Sequence, residues 1–88
     1  MSGGKPESKR IVFSPTARKQ FLSLDKPVQI RIKTGIEKLG VFPPQGDIVK
    51  LKARDSQYRL RVGDWRVIFR QLDIIEILAI LPRGQAYK

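Results

Sequence analysis

Hydrophobic residues recur with two different periods along this chain, and the change of period predicts where helices give way to strands. Ile11-Val12-Phe13 is a short β-rich run that predicts a first strand. Ser14-Pro15 and Asp25-Lys26-Pro27 each join an N-cap residue to an early proline, which predicts two helix starts. Gly40 is a typical helix end. Between these signals, apolar residues follow helical spacings of three and four: Ala17, Phe21, Leu24, Val28, Ile32, Ile36 and Leu39.

Strand-like segments dominate the second half of the chain. Ile48–Lys52 predicts a short strand, and the alternating segments Tyr58–Val62 and Trp65–Arg70 flank a two-residue turn at Gly63-Asp64. Ile74–Leu81 is almost entirely apolar, which is typical of a strand covered on both faces. The predicted order is β-α-α-β-β-β. We therefore expect an α+β fold in which two antiparallel helices pack on one face of a small, mostly antiparallel sheet.

A length of 88 residues predicts a single domain. We expect residues 1–8 to form a disordered tail and residues 9–88 to form the domain. No apolar run reaches the roughly 18 residues that a membrane span needs, and the first residues lack the apolar core of a secretory signal. We therefore expect no membrane partner. The absence of cysteine fits a cytoplasmic protein.

The predicted hairpin gathers arginine on one side of two strands. With the turn at Gly63-Asp64, Arg61 lies directly opposite Arg66, and Arg59 lies opposite Ile68. The other side of the same hairpin is apolar and consists of Tyr58, Leu60, Val62, Trp65, Val67 and Phe69. Like charges directly across a ladder destabilise a sheet by a few tenths to about 1 kcal/mol. The Arg61–Arg66 pair therefore favours a function over packing.

A second tight turn, placed at Leu72-Asp73, extends this register to the last strand. Arg66 is then predicted to face Ala79, and Arg70 is predicted to face Ile75. Ala79 is the only small side chain of its strand and would leave room beside Arg66.

Continuing the same parity past Pro82 brings Arg83 to the arginine side of the sheet. For Arg61 and Arg66 we favour an anion site, because a guanidinium group is always charged and binds phosphate with two parallel hydrogen bonds. Arg59 and Arg70 are explained equally well as solvated residues of an exposed sheet face.

Charge indicates the partner class and limits the chemistry. Lys and Arg number 18 against 8 Asp and Glu, a formal net charge of +10, so we expect RNA, DNA or a strongly acidic protein as partner.

Histidine and cysteine are absent, which excludes histidine acid–base pairs, thiolate zinc sites and cysteine nucleophiles. We expect no metal and no cofactor. Tyr87 is a candidate general base, because nearby arginine charge favours the phenolate form.

The segment GDIVKLKARDSQYRLRVGDWRVIFR (46–70), followed by an apolar strand and the tail PRGQAYK (82–88), resembles the RelE/ParE superfamily of bacterial toxins, on the RelE side. The resemblance extends from Phe13 to Tyr87. It implies a RelE-like fold and a toxin of a type II toxin–antitoxin system. RelE-like members of the superfamily cleave mRNA in the ribosomal A site.

The resemblance also implies roles for individual residues. The catalytic candidates are Arg66, Arg83 and Tyr87, and the RNA-binding candidates are Arg59, Arg61, Lys50 and Lys52. RNA supplies its own nucleophile, the 2′-OH, so this chemistry needs no metal. Tyr87 would accept the 2′-OH proton, and Arg66 would stabilise the extra charge on phosphorus. Arg83 would stabilise the charge on the leaving oxygen or donate a proton to it.

The implied partners are an acidic antitoxin, mRNA and the ribosome, with operator DNA contacted only through the antitoxin. Two alternatives stay open. One is a ParE-like inhibitor of DNA gyrase that cuts no RNA. The other is an inactive basic module that binds RNA or ribosomes, because Pro82 and Gly84 stand where many relatives carry basic residues.

Overall fold

The computed structural model describes residues 9–41, 44–51 and 56–84. Its elements, in chain order, are β1 (Ile11–Phe13), α1 (Pro15–Leu22), α2 (Lys26–Glu37), a 3₁₀ turn (Lys38–Gly40), β2 (Asp47–Lys50), β3 (Gln57–Val62), β4 (Trp65–Gln71) and β5 (Ile75–Pro82). The predicted α+β architecture is confirmed. The order is β-α-α-β-β-β-β. All four strand segments predicted after the helices form strands, so the predicted order β-α-α-β-β-β is one strand short.

The five strands form one sheet in the order β1-β5-β4-β3-β2. β1 runs parallel to β5, with Ile11 opposite Ile75 and Phe13 opposite Ile77. The other three pairings are antiparallel. The first strand therefore lies beside the last, and β4 occupies the centre of the sheet.

Each helix begins at the predicted residue. The Ser14 side chain accepts a hydrogen bond from the Ala17 N–H at 3.1 Å, which caps α1. Asp25 precedes α2 but makes no side-chain capping bond there. The Gln29 side chain of α2 donates to the Phe21 carbonyl of α1 at 3.0 Å and ties the two helices together. Among the described residues, no helix is long and apolar enough to cross a membrane.

The helices cover one side of the sheet, which we call the helix face. α1 packs over β5 and β1, and α2 packs over β3. The buried core between the layers consists of Ala17, Ile32, Ile36, Leu39, Leu60, Val67, Phe69, Ile75, Ile77 and Ile80. Fully burying one of the larger side chains contributes about 1.5–3 kcal/mol, so this layer accounts for most of the folding free energy.

The predicted register of the β3–β4 hairpin is confirmed for all six pairs, from Gln57–Arg70 to Val62–Trp65. Gly63 has φ +58, a left-handed value that suits glycine at the first central position of a two-residue turn. This turn chemistry, together with strict alternation of apolar residues, leaves one register for the hairpin.

The predicted register of β4 against β5 is wrong. Arg66 faces Leu81 instead of Ala79, and Arg70 faces Glu76 instead of Ile75. One cause is the turn, in which three residues (72–74) separate the strands where two were predicted. The other cause is a bulge in β5, where the pairing shifts between Ile68–Ala79 and Phe69–Ile77.

Helix α1 binds the bulged part of β5 directly. The Ser14 hydroxyl donates to the Leu78 carbonyl at 3.0 Å, and the Gln20 side-chain oxygen accepts from the Ile80 N–H at 2.7 Å. Because a bulge adds one residue, the side-chain alternation of β5 changes phase there. Ile77 and Ile80 both point into the helix face, while Leu81 lies on the opposite side with Arg66.

Candidate active site

The side of the sheet away from the helices carries the arginine side chains of two neighbouring strands. We call it the arginine face and define it by Arg59 and Arg61 of β3 and Arg66 and Arg70 of β4. These residues share a face because each alternates along its strand with a residue of the helix face. Ile68, between Arg66 and Arg70, has an exposed fraction of 0%.

Arg66 is the half-buried member nearest the hairpin turn. It lies directly across the ladder from Arg61, as predicted. Its Nη1 atom approaches the carbonyl oxygens of Gly63 at 3.5 Å and Trp65 at 3.3 Å. Within the described ranges, Arg66 has no carboxylate within ion-pair distance. Its charge is therefore oriented by backbone carbonyls and remains available to an anion.

Arg83 reaches the same end of the sheet from β5. The pairs Arg66–Leu81 and Trp65–Pro82 carry the ladder to the hairpin turn, where the Arg83 N–H donates to the Asp64 carbonyl at 2.7 Å. The Arg83 Nη1 atom lies 4.0 Å from Asp64 Oδ1. The fold thus brings two of the three predicted catalytic residues to one hairpin tip.

The other ion pairs of the arginine face are loose. Arg61 Nη1 lies 4.0 Å from Asp47 Oδ2, and Arg70 Nη1 lies 3.8 Å from Glu76 Oε1. Exposed pairs of this kind contribute about 0–1 kcal/mol and are screened by salt. A phosphate that offers shorter, bidentate contacts can therefore replace the carboxylate at Arg61.

Arg59 has an unused hydrogen-bond donor. It lies between Val49 of β2 and Ile68 of β4, and it is half-buried. Its Nε atom is buried, and none of the described residues accepts its hydrogen. An unpaired buried donor costs about 1–3 kcal/mol, so Arg59 is not explained by simple solvation.

Of the three remaining predicted site residues, only Lys50 lies in the part of the chain that the structure describes, and it does not join this cluster. Lys50 is exposed and pairs with Tyr58, so it shares the parity of the helix face and not that of the arginine face. Lys52 and Tyr87 lie outside the described residues. Within the described ranges, no three potential metal ligands come together.

Asp64 and Gln20 are the residues that sequence reasoning missed. Asp64 was interpreted only as a turn residue, yet it contacts Arg83 through both its carbonyl and its carboxylate. Gln20 holds the bulge that sets the parity of β5. The lone carboxylate in an arginine-rich hairpin was the available signal for Asp64, whereas no local signal marks Gln20.

The family follows from a match over most of the chain. The family model described as the ParE toxin of the type II toxin–antitoxin system parDE matches residues 11–87. The chain belongs to the RelE/ParE superfamily of type II toxins. No curated protein matches the sequence.

Solved RelE structures share the fold of this toxin. A chain of the archaeal RelE–RelB complex from Pyrococcus horikoshii is 30% identical with a TM-score of 0.75, and the match covers 90% of this chain and 99% of that chain. A chain of the RelB–RelE complex from Methanococcus jannaschii is 27% identical with a TM-score of 0.69, covering 81% and 88%. The isolated Escherichia coli RelE toxin, at 13% identity and a TM-score of 0.77, covers 90% and 88% and supports the fold alone.

Proposed function

We propose that this toxin is a ribosome-dependent endoribonuclease that cleaves mRNA in the A site and thereby inhibits translation. The observation that carries the proposal is that Arg66 and Arg83 both contact residues of one hairpin turn, Gly63 and Asp64, with Arg61 directly across the ladder from Arg66. Three arginines at one end of the sheet suit the phosphate at which RNA is cut. The similarity to RelE chains at 30% and 27% identity supports the same class.

The proposed reaction uses the 2′-OH of the RNA as nucleophile. Its oxygen attacks the adjacent phosphorus, its proton passes to a base, and the bond from phosphorus to the 5′ oxygen breaks. The leaving oxygen takes up a proton, so the products are a 2′,3′-cyclic phosphate and a 5′-OH. Tyr87 is the proposed base on the family resemblance.

Arg66 suits the stabilisation of charge in the transition state. Its half-buried side chain is already oriented by the Gly63 and Trp65 carbonyls, so little reorganisation is needed when charge develops on the phosphorane oxygens. Arg83 adds a second cation at the same tip. Because arginine stays protonated at neutral pH, we assign Arg83 to charge stabilisation at the leaving oxygen and not to proton donation.

The proposal includes partners that hold the substrate or block the site. With no histidine in the chain, catalysis relies on a substrate held in place by the ribosome. An acidic antitoxin is the proposed inhibitor, since the toxin carries a net charge of +10 and two of the similar structures are complexes with RelB. Operator DNA would be contacted only through the antitoxin, and the cytoplasm is the proposed location.

A second candidate function is inhibition of DNA gyrase. The observation that favours it is the family model itself, which describes the ParE toxin. An inactive ribosome-binding module is the remaining alternative. A supercoiling assay tests the inhibition of DNA gyrase. RNA binding without a cyclic phosphate product would identify the inactive module.

The decisive experiment maps mRNA cuts by primer extension, with and without programmed ribosomes. Wild type should cut only on ribosomes, and Arg66→Ala should lower the cleavage rate by about 10²–10³-fold or more. Arg70→Ala is the matched control, because Arg70 shares the face and the strand but pairs with Glu76. It should cut at nearly the wild-type rate.

Thermal unfolding of both variants checks that each is folded. Wild-type cleavage by Arg66→Ala would remove Arg66 from the mechanism. Absence of cuts by wild type on ribosomes would overturn the ribonuclease proposal and make the supercoiling assay the next step.

A further inference from the structure

A second basic feature lies on the other side of the hairpin tip, in a groove between α2 and β3. The groove has a volume of about 410 Å³. Its lining includes Arg31 of α2, Lys38 of the 3₁₀ turn and Arg61 of β3, and none of the described residues that line it is acidic. It is thus a concentrated positive surface whose lining contains neither Arg66 nor Arg83.

The groove is continuous with the candidate active site. Arg61 belongs both to its lining and to the arginine face, where it lies across from Arg66. Arg31 approaches the turn from the helix side, with its Nη1 atom 3.6 Å from the position that a Cβ on Gly63 would occupy. Cations therefore surround the tip on both sides of the sheet.

Two glycines pack closely against β3 at the floor of the groove. A Cβ on Gly35 would lie 2.9 Å from Val62 Cγ2, and one on Gly46 would lie 2.7 Å from Leu60 Cδ1. These glycines let helix and loop approach β3 closely. Leu60 is only 1% exposed.

A second groove, beside β1, is also cationic, since Arg10, Arg18 and Lys33 line it together with Phe13, Phe21 and Leu22. None of the four arginines that define the arginine face lines it. The groove between α2 and β3 shares Arg61 with that face, so a polyanion bound at the candidate active site can continue into it along a path of cations. A nucleic-acid backbone needs cations along its path, and this continuity favours a nucleic acid in the groove between α2 and β3.

We propose that this groove binds the sugar–phosphate backbone of the single-stranded RNA that continues past the cleaved phosphate. The strand would pass from the arginine face around the Gly63-Asp64 tip, with Arg61 at the crossing and with Arg31 and Lys38 contacting the phosphates beyond it. Contacts of this kind position RNA without reading its bases. The inference rests on the proposed function and extends it by giving the RNA a path.

The test measures RNA binding, without cleavage, by the double variant Arg31→Ala/Lys38→Ala. The probe is a fluorescent single-stranded RNA in which every 2′-OH is methylated, and its affinity is measured by anisotropy over a series of salt concentrations. Each lost phosphate contact reduces the slope of log K against log salt by about 0.7 for a single strand, so the double variant should lose about 1.4. Both side chains are exposed and neither belongs to the core, so the variant should fold.

The matched control is Arg18→Ala/Lys33→Ala, which removes the same two residue types from the groove beside β1. Its slope should stay close to that of wild type. Equal loss in both double variants would mean non-specific attraction and would overturn the proposal. Arg31→Ala/Lys38→Ala could instead keep the wild-type slope for RNA and bind a fluorescent oligo-glutamate peptide more weakly. That result would assign the groove to an acidic protein and would overturn the proposal too.

The outcome is independent of catalysis, because the probe cannot be cleaved. A loss of slope confined to Arg31→Ala/Lys38→Ala would support the groove even if no ribosome-dependent cuts were found. In that case the groove would stand and the ribonuclease proposal would fail.

Discussion

The same strands form both faces of the sheet, but the residues of the two faces have different roles. Two neighbouring residues of β4 illustrate the difference. Phe69 and Ile68 both have an exposed fraction of 0%. Phe69 lies in the core and stacks on Tyr58, with ring centroids 5.5 Å apart. Ile68 lies outside that core, with Arg59 opposite it. The helix face is built for stability, whereas the arginine face carries a like-charge pair and an Arg59 donor that finds no acceptor among the described residues.

The largest difference between the faces should appear when each buried residue is truncated. Phe69→Ala should lower the free energy of unfolding by about 3–5 kcal/mol, because the helices packed over the sheet cannot close the cavity that the lost ring leaves. Ile68→Ala should cost about 2 kcal/mol, because flexible arginine stems can close over the gap. Urea denaturation of both variants measures the difference. A loss at Ile68 equal to that at Phe69 would contradict the contrast.

An intermediate effect on stability is expected at Gln20, the α1 residue that holds the bulge of β5. Gln20→Leu should lower the free energy of unfolding by about 1–3 kcal/mol, because the Ile80 N–H loses its acceptor. Amide hydrogen exchange at Ile80 should accelerate. Gln20→Glu keeps an acceptor oxygen and should restore most of the protection. If leucine and glutamate behaved alike, the hydrogen bond would not be what holds the bulge.

The smallest effect on stability is expected on the arginine face itself. Arg61→Thr removes the like charge opposite Arg66 and should raise the free energy of unfolding by a few tenths to about 1 kcal/mol. The lost contact with Asp47 is an exposed pair at 4.0 Å and offsets little of this gain. RNA affinity should fall in the same variant. Clear destabilisation in urea would show that Arg61 serves the fold.

Sequence reasoning succeeded where structure is local. The β3–β4 register could be predicted because Gly63-Asp64 permits one tight turn and because a shift by one residue would expose every apolar side chain of the hairpin. The position of Arg61 opposite Arg66 followed from that register alone. The starts of α1 and α2 could be predicted for the same reason, since Ser14 and Asp25 act within a few residues of themselves.

The rest depends on contacts between distant parts of the chain. The bulge of β5 is held by Ser14 and Gln20 of a different layer, so nothing near Leu78 in the sequence reveals it. Leu81 nevertheless lies on the side of Arg66, as the predicted parity requires, because the longer turn and the bulge shift the pairing by two residues together. The contact of Arg83 with Asp64 could not be predicted without them.

A ribosome delivers β1 first, yet the described strand that pairs with β1 is β5, which is made last. Most of the chain lies between Ile11 and its partner Ile75. Until β5 has left the ribosome, β1 has no partner strand, the bulge is absent and Arg83 is not beside Asp64. In a nascent chain the arginines are therefore present before they are brought together at the candidate site. The topology itself delays assembly of that site until translation has passed the fifth strand.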